Sequence, residues 1–350
     1  MDFLDDTPKK EGLAKFVLLF NKTTGTSKVQ YIPVDSRTSR LIPKCEHLIF
    51  PKLKDLVGYR AVVMENYLYV IGGKTWDTGE MIDQTLRFDP MTNAWHYMAP
   101  MTTARAKFSV DVLDGCLFVT GGEVGKGKVT DSVECYNPLL DQWFLRKPMP
   151  KPRLGHASCS TQGKLLISGG YSSAKHLCTK DFWEYDPNLD TWVPLVNKGL
   201  PACRQKHVMV STKRSKRNKI YILGGMTIDT EEGVELDDNT TWTFDYDLKD
   251  NTEIGPWNTM HPHIMHNRSN AGGVFLGKNI FLFGGRNRKG IPENAGQVEF
   301  FNTKKKKYYE AFQLDDPSLI DADCCVLKVP NTNTDFSRLG IVMYDKWILW

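Results

Sequence analysis

A short apolar segment that ends in two glycines occurs five times along this chain. In the first copy, residues 68–73 read Leu-Tyr-Val-Ile-Gly-Gly. An apolar run this short is typical of a strand buried on both faces, and its recurrence about every 50 residues predicts a repeat architecture. The first glycines of successive copies, which are 49, 48, 55 and 60 residues apart, are Gly72, Gly121, Gly169, Gly224 and Gly284.

Each copy predicts four antiparallel strands. In the unit from residue 105 to residue 148, Asp114-Gly115 gives a tight turn before the apolar strand, and Asn137-Pro138 gives a turn before the last strand. The glycine pair ends the apolar strand because glycine tolerates positive φ and close backbone approach. Four strands in about 50 residues form one blade of a β-propeller. The predicted strands are residues 108–112, 117–120, 132–137 and 143–147.

Aromatic residues recur on the two outer strands, seven residues apart. We expect each pair to pack between neighbouring sheets, where burial contributes about 1.5–3 kcal/mol per ring. The pairs are Phe88 with Trp95, Tyr136 with Trp143, Tyr185 with Trp192, and Phe301 with Tyr308.

An arginine stands before the glycine pair in four of the five copies. The spacing is sixteen residues at Arg105, Arg153 and Arg268, and twenty at Arg204. In the first copy Leu56 takes this place, and Arg60 is out of register. His156 and His207 follow two of these arginines at similar places, and we expect them to be structural residues beside the ring axis.

A degenerate sixth copy opens the chain. Residues 16–20 take the place of the inner strand, and Asn21-Lys22 replaces the glycines. Val34 and Leu41 keep the seven-residue offset without aromatic rings. Too few residues precede this copy to form its opening strand, and a closed ring leaves no free sheet edge.

The missing strand must therefore come from the C-terminal end. Residues 324–329 are the favoured candidate, residues 339–343 are the alternative, and residues 347–350 would cover apolar surface nearby. The sequence thus predicts an all-β, six-bladed β-propeller of four-stranded antiparallel blades, with the first blade completed by a C-terminal strand. Truncation at Asp321 should then give insoluble or unfolded protein.

Composition narrows the function classes. The hydrophobic content of 41% and charged content of 25% are ordinary for a soluble globular protein. A net charge of +4 gives no reason to expect nucleic acid, and no apolar run is long enough to span a membrane. None of the eight cysteines forms a Cys-x-x-Cys pair, and the N-terminus does not read as a signal peptide. We expect reduced cysteines and a cytoplasmic location, with the nucleus as a second candidate.

Candidate catalytic chemistry is sparse. His261, His263 and His266 have spacings that could suit metal ligands on a loop, but we favour solvated histidines on a loop between blades. The chain contains neither a Gly-x-Ser-x-Gly motif nor a phosphate-binding Gly-x-x-x-x-Gly-Lys motif. We therefore expect a non-enzymatic protein with no metal and no cofactor.

The doubled glycines and the aromatic pairs with Tyr-Asp-Pro and Tyr-Asn-Pro turns together resemble the kelch repeat. The resemblance covers most of the chain and implies a tail over residues 1–15 and a single propeller domain over residues 16–350. The expected blades are residues 16–50 with 322–350, then 51–100, 101–150, 151–200, 201–260 and 261–320.

The resemblance also implies a partner-binding face, formed by the loops that follow the glycine pairs and those that join the blades. The contact positions of the family lie one and three residues past the glycine pair and two past the repeat arginine. Gly155 falls at one such position without a side chain. Carried over, these positions are Lys74, Trp76, Lys107, Glu123, Tyr171, Ser173, Lys206, Met226, Asn270, Arg286 and Arg288.

Kelch propellers of this kind are similar to the substrate-binding half of BTB-kelch proteins. The resemblance implies a substrate adaptor for a cullin-3 RING ubiquitin ligase, which binds its target at the propeller and cullin-3 through a BTB region absent from this chain. An actin-associated kelch scaffold is the alternative. Some kelch-type propellers are copper oxidases, but the required cluster of Tyr, His and Cys near the axis cannot be assembled from this sequence.

Two charged features remain. Residues 213–219 and 304–307 are lysine-rich turns, which antiparallel blades place at the end opposite the binding face; they are either solvated or bind an anionic partner. Residues 229–238 form a long acidic loop that could reach over the binding face or remain solvated.

Overall fold

Six four-stranded antiparallel sheets contain most of the ordered chain in the computed structural model. The structure describes residues 12–171, 178–195, 199–212, 218–228, 233–246, 257–260, 263–291, 296–314 and 319–330. Within these residues the only helix is a short 3₁₀ turn, Pro51–Leu53. The prediction of an all-β, six-bladed propeller is confirmed.

The strands are numbered along the chain. Blade 1 contains β1 (Leu13–Asn21), β2 (Lys28–Val34) and β3 (Glu46–Ile49). Beside blade 2 lie β4 (Leu56–Val57) and β7 (Lys74–Thr75), and the blade itself contains β5 (Arg60–Met64), β6 (Tyr67–Ile71), β8 (Thr85–Asp89) and β9 (Ala94–Met98). Blade 3 contains β10 (Ser109–Leu113), β11 (Cys116–Thr120), β12 (Val133–Asn137) and β13 (Gln142–Arg146).

The second half of the chain repeats this order. Blade 4 contains β14 (Ala157–Thr161), β15 (Lys164–Ser168), β16 (Phe182–Asp186) and β17 (Thr191–Pro194). Blade 5 contains β18 (Val208–Thr212), β19 (Asn218–Leu223), β22 (Thr241–Tyr246) and β23 (Asn258–Met260), with the hairpin of β20 (Met226–Ile228) and β21 (Glu235–Asp237) beside it. Blade 6 contains β24 (Gly272–Leu276), β25 (Asn279–Phe283), β26 (Gln297–Asn302) and β27 (Lys307–Gln313), and β28 (Ala322–Pro330) follows.

A C-terminal strand closes the ring. β28 pairs with β1 over nine residue pairs, from Leu13 opposite Pro330 to Asn21 opposite Ala322, and the strand order of blade 1 is β28-β1-β2-β3. The inner strands β5, β10, β14, β18, β24 and β28 contact one another in a circle. The favoured candidate, residues 324–329, therefore lies within β28, whereas residues 339–343 and 347–350 lie outside the described residues.

Close contact with the next blade explains the glycine pairs. Gly122 donates a backbone hydrogen bond of 3.0 Å to the carbonyl of Arg153 in the next blade. A Cβ atom on Gly121 would lie 2.5 Å from that same carbonyl oxygen, and both glycines have positive φ. Side chains at these positions would force the two blades apart, so the backbone contact requires glycine.

The repeat arginines connect the strands of one blade from inside. Arg105 donates to the carbonyl of Gly121 at 3.0 Å and to a carboxylate oxygen of Glu134 at 2.5 Å, and neither side chain is exposed to solvent. Arg268 has the equivalent bonds, 2.5 Å each, to Gly284 and Glu299. Each arginine therefore fixes its glycine pair to the third strand of its own blade.

The aromatic pairs pack as expected. Tyr136 lies opposite Trp143 across β12 and β13, with ring centroids 5.2 Å apart. Tyr136 also contacts Tyr69 of blade 2, and the Trp143 indole donates to the carbonyl of Ala99 at 2.9 Å. Because the rings fill the space between two blades, each pair stabilises both the sheet and the ring.

Candidate functional site: the mouth of the propeller

A circle of main-chain positions surrounds the end of the axis where the inner strands begin, which we call the mouth. Each inner strand is preceded by one of them, two positions past the repeat arginine or its counterpart: Gly58, Lys107, Gly155, Lys206, Asn270 and Asp321. The amide of Lys107 donates to Gly58 at 3.0 Å, Lys206 to Gly155 at 2.7 Å, and Asn270 to Lys206 at 2.9 Å, whereas no such bond joins Lys107 and Gly155. Backbone hydrogen bonds therefore connect most neighbours on this rim.

Blade 1 joins this circle through Lys22. The amide of Lys22 donates to the carbonyl of Asp321, and the amide of Gly58 donates to the carbonyl of Lys22, both at 2.9 Å. The Lys22 ammonium, which is 5% exposed, forms an ion pair of 3.0 Å with the Asp321 carboxylate. Lys22, which replaces the second glycine of the pair in this blade, therefore binds the C-terminal segment that closes the ring.

Two lysines of the circle have an unfavourable backbone conformation. Lys107 and Lys206 both have φ of 55°, in the left-handed region, where residues with a Cβ atom are disfavoured by about 1–2 kcal/mol. The equivalent residues Gly58 and Gly155 also have positive φ, without this cost. Since glycine serves the same backbone geometry in two blades, the lysine side chains are retained despite their conformational cost.

Lys107 forms an ion pair on one side of the mouth. Its ammonium lies 2.9 Å from a carboxylate oxygen of Glu123, and the Glu123 side chain is 15% exposed. Burial alone would favour the neutral acid, but the hydrogen bond and charge of Lys107, with the charge of Lys74, hold the pKa of the Glu123 carboxyl below its ordinary value. Lys74, Lys107 and Glu123 therefore form one charged group across blades 2 and 3.

Lys206 lies at the centre of a second group. Its ammonium is 3.7 Å from the sulfur of Met226 and 3.9 Å from a carboxylate oxygen of Glu235. Burial lowers the pKa of Lys206, and Glu235 opposes that effect. Met226 is only 2% exposed, so it packs beneath Lys206, whereas Tyr171 lies beside Gly155 at the edge of the same group.

Other predicted contact residues lie at the edge of the mouth. The Trp76 side chain is 60% exposed, and Arg288 is also exposed. Arg286 is half-buried and pairs through its backbone with Ser269. Among the described residues neither arginine has a carboxylate within ion-pair distance. Ser173 lies outside the described residues.

The structure adds two charged residues, Lys22 and Asp321, that the sequence did not indicate as parts of the mouth, and it shows that the described part of the acidic loop reaches this face. Glu235 reaches Lys206 because β20 and β21 form a hairpin over this side, which is the described part of the acidic loop. Lys22 and Asp321 were missed because their blade lacks the glycine pair and the arginine. The counterpart of Lys107 in the C-terminal segment, Asp321, could have been found by aligning β28 with the other inner strands.

A polar channel runs along the axis below the mouth. It encloses a cavity of about 250 Å³ that is lined by the inner strands, including Arg60, Asp111 and Asp323. His156 and His207 also line it, and their ring nitrogens bond to Thr120 at 2.9 Å and Ser168 at 2.7 Å. Burial, and then the charge of Arg204, lowers the pKa of His207 to about 3, so this ring is neutral at physiological pH.

Asp111, which lines this channel, has a pKa close to neutral pH. Burial raises the pKa of its carboxyl to about 7, although Ser158 donates a hydrogen bond to it and Arg60 lies nearby. In the unfolded chain the pKa is about 3.9. Between these two values the folded state binds more protons than the unfolded state, so stability falls as the pH rises.

We expect Asp111→Asn to remove this pH dependence. Wild-type protein should lose about 1–3 kcal/mol of unfolding free energy from Asp111 between pH 4 and pH 7, and the variant should not. Urea denaturation at pH 5, 6, 7 and 8 measures the difference between the two profiles. Asp114→Asn, in the exposed turn of the same blade, is the control and should follow wild type. Parallel profiles for Asp111→Asn and wild type would contradict the assignment.

The described residues show neither a metal-binding cluster nor a membrane-spanning helix. The part of the chain that the structure describes contains no group of three or more His, Cys, Asp or Glu side chains arranged to hold a metal ion. In that same part, no helix is long and apolar enough to cross a bilayer. His261 lies outside the described residues, and His266 is 3.8 Å from a carboxylate oxygen of Glu310.

Comparison with known proteins agrees with this geometry. A family model described as the KLHDC2/KLHL20/DRC7 Kelch-repeats domain matches residues 58–285. Kelch-like protein 26 of Danio rerio is 30% identical over 275 residues, which cover 78% of this chain and 42% of that protein. Beta-scruin of Limulus polyphemus is 32% identical over 189 residues, which cover 49% of this chain and 19% of that protein. The chain thus spans less than half the length of these relatives.

A solved structure shows the same fold. The structure of YjhT superposes with a TM-score of 0.62 at 15% sequence identity, and the match covers 84% of this chain and 97% of that one. At this identity the likeness concerns the fold alone.

Proposed function

Because this chain belongs to the kelch-repeat family, we propose that it is a non-enzymatic recognition domain that binds a short segment of a target protein at the mouth. We further propose that it serves as the substrate-binding propeller of a cullin-3 ubiquitin ligase adaptor. Its similarity to kelch-like proteins supports this role. Cullin-3 would be bound by a BTB region outside this sequence, and the adaptor would act in the cytoplasm and also in the nucleus.

One observation carries the recognition role. Lys107 and Lys206 adopt positive φ at positions where the neighbouring blades have glycine. Strained backbone is often found at functional sites. The rim uses the backbone atoms of both lysines, while the Lys107 side chain is exposed and that of Lys206 is partly exposed beside Met226 and Glu235. Exposed Trp76 adds an aromatic anchor, and Arg286 and Arg288 add cations, which together suit a short target segment that contains carboxylates.

Replacement of both lysines by glycine separates recognition from stability. We expect Lys107→Gly with Lys206→Gly to reduce recovery of the bound target from a cell extract at least tenfold. The free energy of unfolding should stay within about 1 kcal/mol of wild type, because relief of the strained φ offsets the greater entropy of glycine in the unfolded chain. Quantitative affinity-purification mass spectrometry and urea denaturation are the two measurements.

Lys306→Gly is the matched control for this experiment. Lys306 is exposed, as Lys107 is, and has the same φ of 55° as both mouth lysines, but it lies in the turn between β26 and β27 at the opposite end of the blades. This control should recover the target as wild type does. Equal recovery by all three proteins would refute the mouth as the binding site, and a large loss of stability in the double variant would make these lysines structural.

An actin-associated scaffold is the second candidate, and the similarity to Beta-scruin is the observation that favours it. The two roles predict different partners. Sedimentation of the chain with filamentous actin, together with recovery of cullin-3 by a longer protein that contains this chain and a BTB region, distinguishes them. Actin binding without cullin-3 recovery would replace the adaptor role with the scaffold role.

A further inference from the structure

The gap between blades 6 and 1 is packed differently from the others. In three other gaps, an aromatic residue on the second strand of one blade meets the aromatic pair of the next blade. These contacts are Tyr69 with Tyr136 at 6.0 Å, Phe118 with Tyr185 at 6.0 Å and Tyr221 with Phe301 at 5.8 Å. Large rings from both blades fill these gaps.

Blade 1 brings smaller side chains to its gap with blade 6. Phe281 occupies the second-strand position in blade 6, but blade 1 contributes Ile32, Val34 and Leu41 to the same apolar cluster. The strand register places Ile32, opposite Val17, where the other blades have the first ring of the pair. Leu41 bridges to Val34 and belongs to the same cluster. Aliphatic residues at these positions leave the gap incompletely filled.

The result is a cavity with an aromatic wall, which we call the blade 6/1 cavity. Its volume is about 350 Å³, within the range of pockets that bind ligands. Phe281 packs on Phe300 with ring centroids 5.1 Å apart, and Phe300 stacks on Tyr309 at 5.3 Å with an interplanar angle of 19°. Leu41 and Pro43 of blade 1 form the other wall.

Basic side chains surround this cavity. Arg40, Lys278 and Lys305 line it and are exposed, and none of them has an ion pair among the described residues. Lys278 also lines a neighbouring cavity of about 470 Å³ between blades 5 and 6, together with Lys219, Lys304 and Lys306. The end of blade 6 opposite the mouth is therefore a basic surface beside an apolar opening. Of the two lysine-rich turns, Lys219 and residues 304–307 lie at this end, and residues 213–217 lie outside the described residues.

We propose that the blade 6/1 cavity is a second binding site, which takes a peptide segment of a partner protein with one large apolar side chain flanked by carboxylates. The apolar side chain would enter between Leu41 and the stacked rings, and the carboxylates would meet Arg40, Lys278 and Lys305. Glu310 on the same rim disfavours a continuous phosphate backbone, whereas a peptide places its charges at separate points. This site is separate from the mouth and does not depend on the proposed function there.

Two peptides and two variants test the site. The probe is a fluorescein-labelled peptide with two glutamates on each side of one tryptophan, and its partner has alanine in place of tryptophan. We expect fluorescence polarisation to show binding of the first peptide by the full chain, weakened at higher salt, and at least tenfold weaker binding of the second. Leu41→Trp places a large ring in the wall of the cavity and should fill it, lowering affinity at least tenfold while the melting temperature stays close to that of wild type.

A second variant tests the site through its charge instead of its volume, so the test does not depend on Leu41→Trp alone. Lys278→Glu with Lys305→Glu should also lower the affinity at least tenfold and weaken its salt dependence. Lys107→Gly with Lys206→Gly, at the mouth, should bind the probe as wild type does. Loss of binding in the mouth variant with retention in Leu41→Trp would overturn the proposal, as would equal binding of the two peptides. Tighter binding by a peptide of residues 331–350 than by the acidic probe would assign the cavity to the chain itself and also overturn it.

Discussion

Glu134→Ala is expected to lower the free energy of unfolding by about 3–5 kcal/mol, because it leaves a buried arginine without its counter-charge. Arg105 and Glu134 are both 0% exposed and 2.5 Å apart. Glu134 also accepts hydrogen bonds from the amides of Thr102 and Thr103, at 2.7 Å and 3.1 Å, and these would lose their acceptor. The shift of the urea denaturation midpoint measures the loss.

Asp181→Ala is the matched control. Arg153 holds the place of Arg105 in blade 4, but its carboxylate partner Asp181 lies 3.5 Å away and is 24% exposed. Arg153 is itself only 1% exposed, but the contact is longer and water reaches Asp181, so we expect its loss to lower the free energy of unfolding by less than the loss of Glu134. If both variants lost a similar free energy of unfolding, burial of the Arg105–Glu134 pair would not be the reason that it stabilises the fold.

Truncation at Asp321 is expected to yield insoluble or unfolded protein. It removes β28, whose Leu327 and Val329 are buried in the apolar cluster shared by blades 1 and 2. It also exposes the full length of β1 as an unpaired edge, and such an edge promotes association between chains. The soluble fraction after expression and the cooperativity of thermal unfolding are the measurements.

A graded pair of variants complements the truncation. Leu327→Asp places a charge at a position that is 1% exposed, and it should lower the yield of soluble protein severely. Lys328→Ala changes the adjacent exposed residue, which points to the opposite side of the strand, and should behave like wild type. A soluble, cooperatively melting protein that ends at Asp321 would refute closure of the ring by β28.

Most of the fold could be predicted from sequence because each repeat has the same physical requirements. The glycine pair is needed wherever one blade contacts the next at the arginine carbonyl, and the aromatic pair is needed wherever a gap must be filled. Even blade 1 was predictable, because few segments of the chain could supply the strand that its sheet lacks. The repeat arginine was visible as a spacing, but its carboxylate partner was not. Glu134 and Glu299 lie on the third strand of two blades. Arg204 instead pairs with Asp238, and its guanidinium also lies over the ring of Trp242 at 3.7 Å.

The mouth could be predicted only in outline. Spacing from the glycines and arginines placed Lys107, Lys206 and Asn270 on one circle, which the structure shows as backbone hydrogen bonds. The positive φ of these residues could not be predicted from sequence, because contacts between neighbouring blades determine the backbone conformation there. Burial of Met226 beneath Lys206 depends on a hairpin whose path the sequence did not reveal. The blade 6/1 cavity was also missed, although the aliphatic residues that create it were visible as a departure from the repeat.

The hydrogen bonds around the mouth are made by main-chain atoms, and this bears on how a new binding specificity could arise at the rim. Glycine, lysine, asparagine and aspartate all occupy equivalent places on that circle. Under the proposed function, an exchange at Lys107, Lys206 or Asn270 would alter what is recognised and leave the backbone hydrogen bonds in place, whereas Asp321 also holds Lys22 in an ion pair. These three positions are therefore a natural starting point for directed evolution of new specificities, with the rest of the chain held constant.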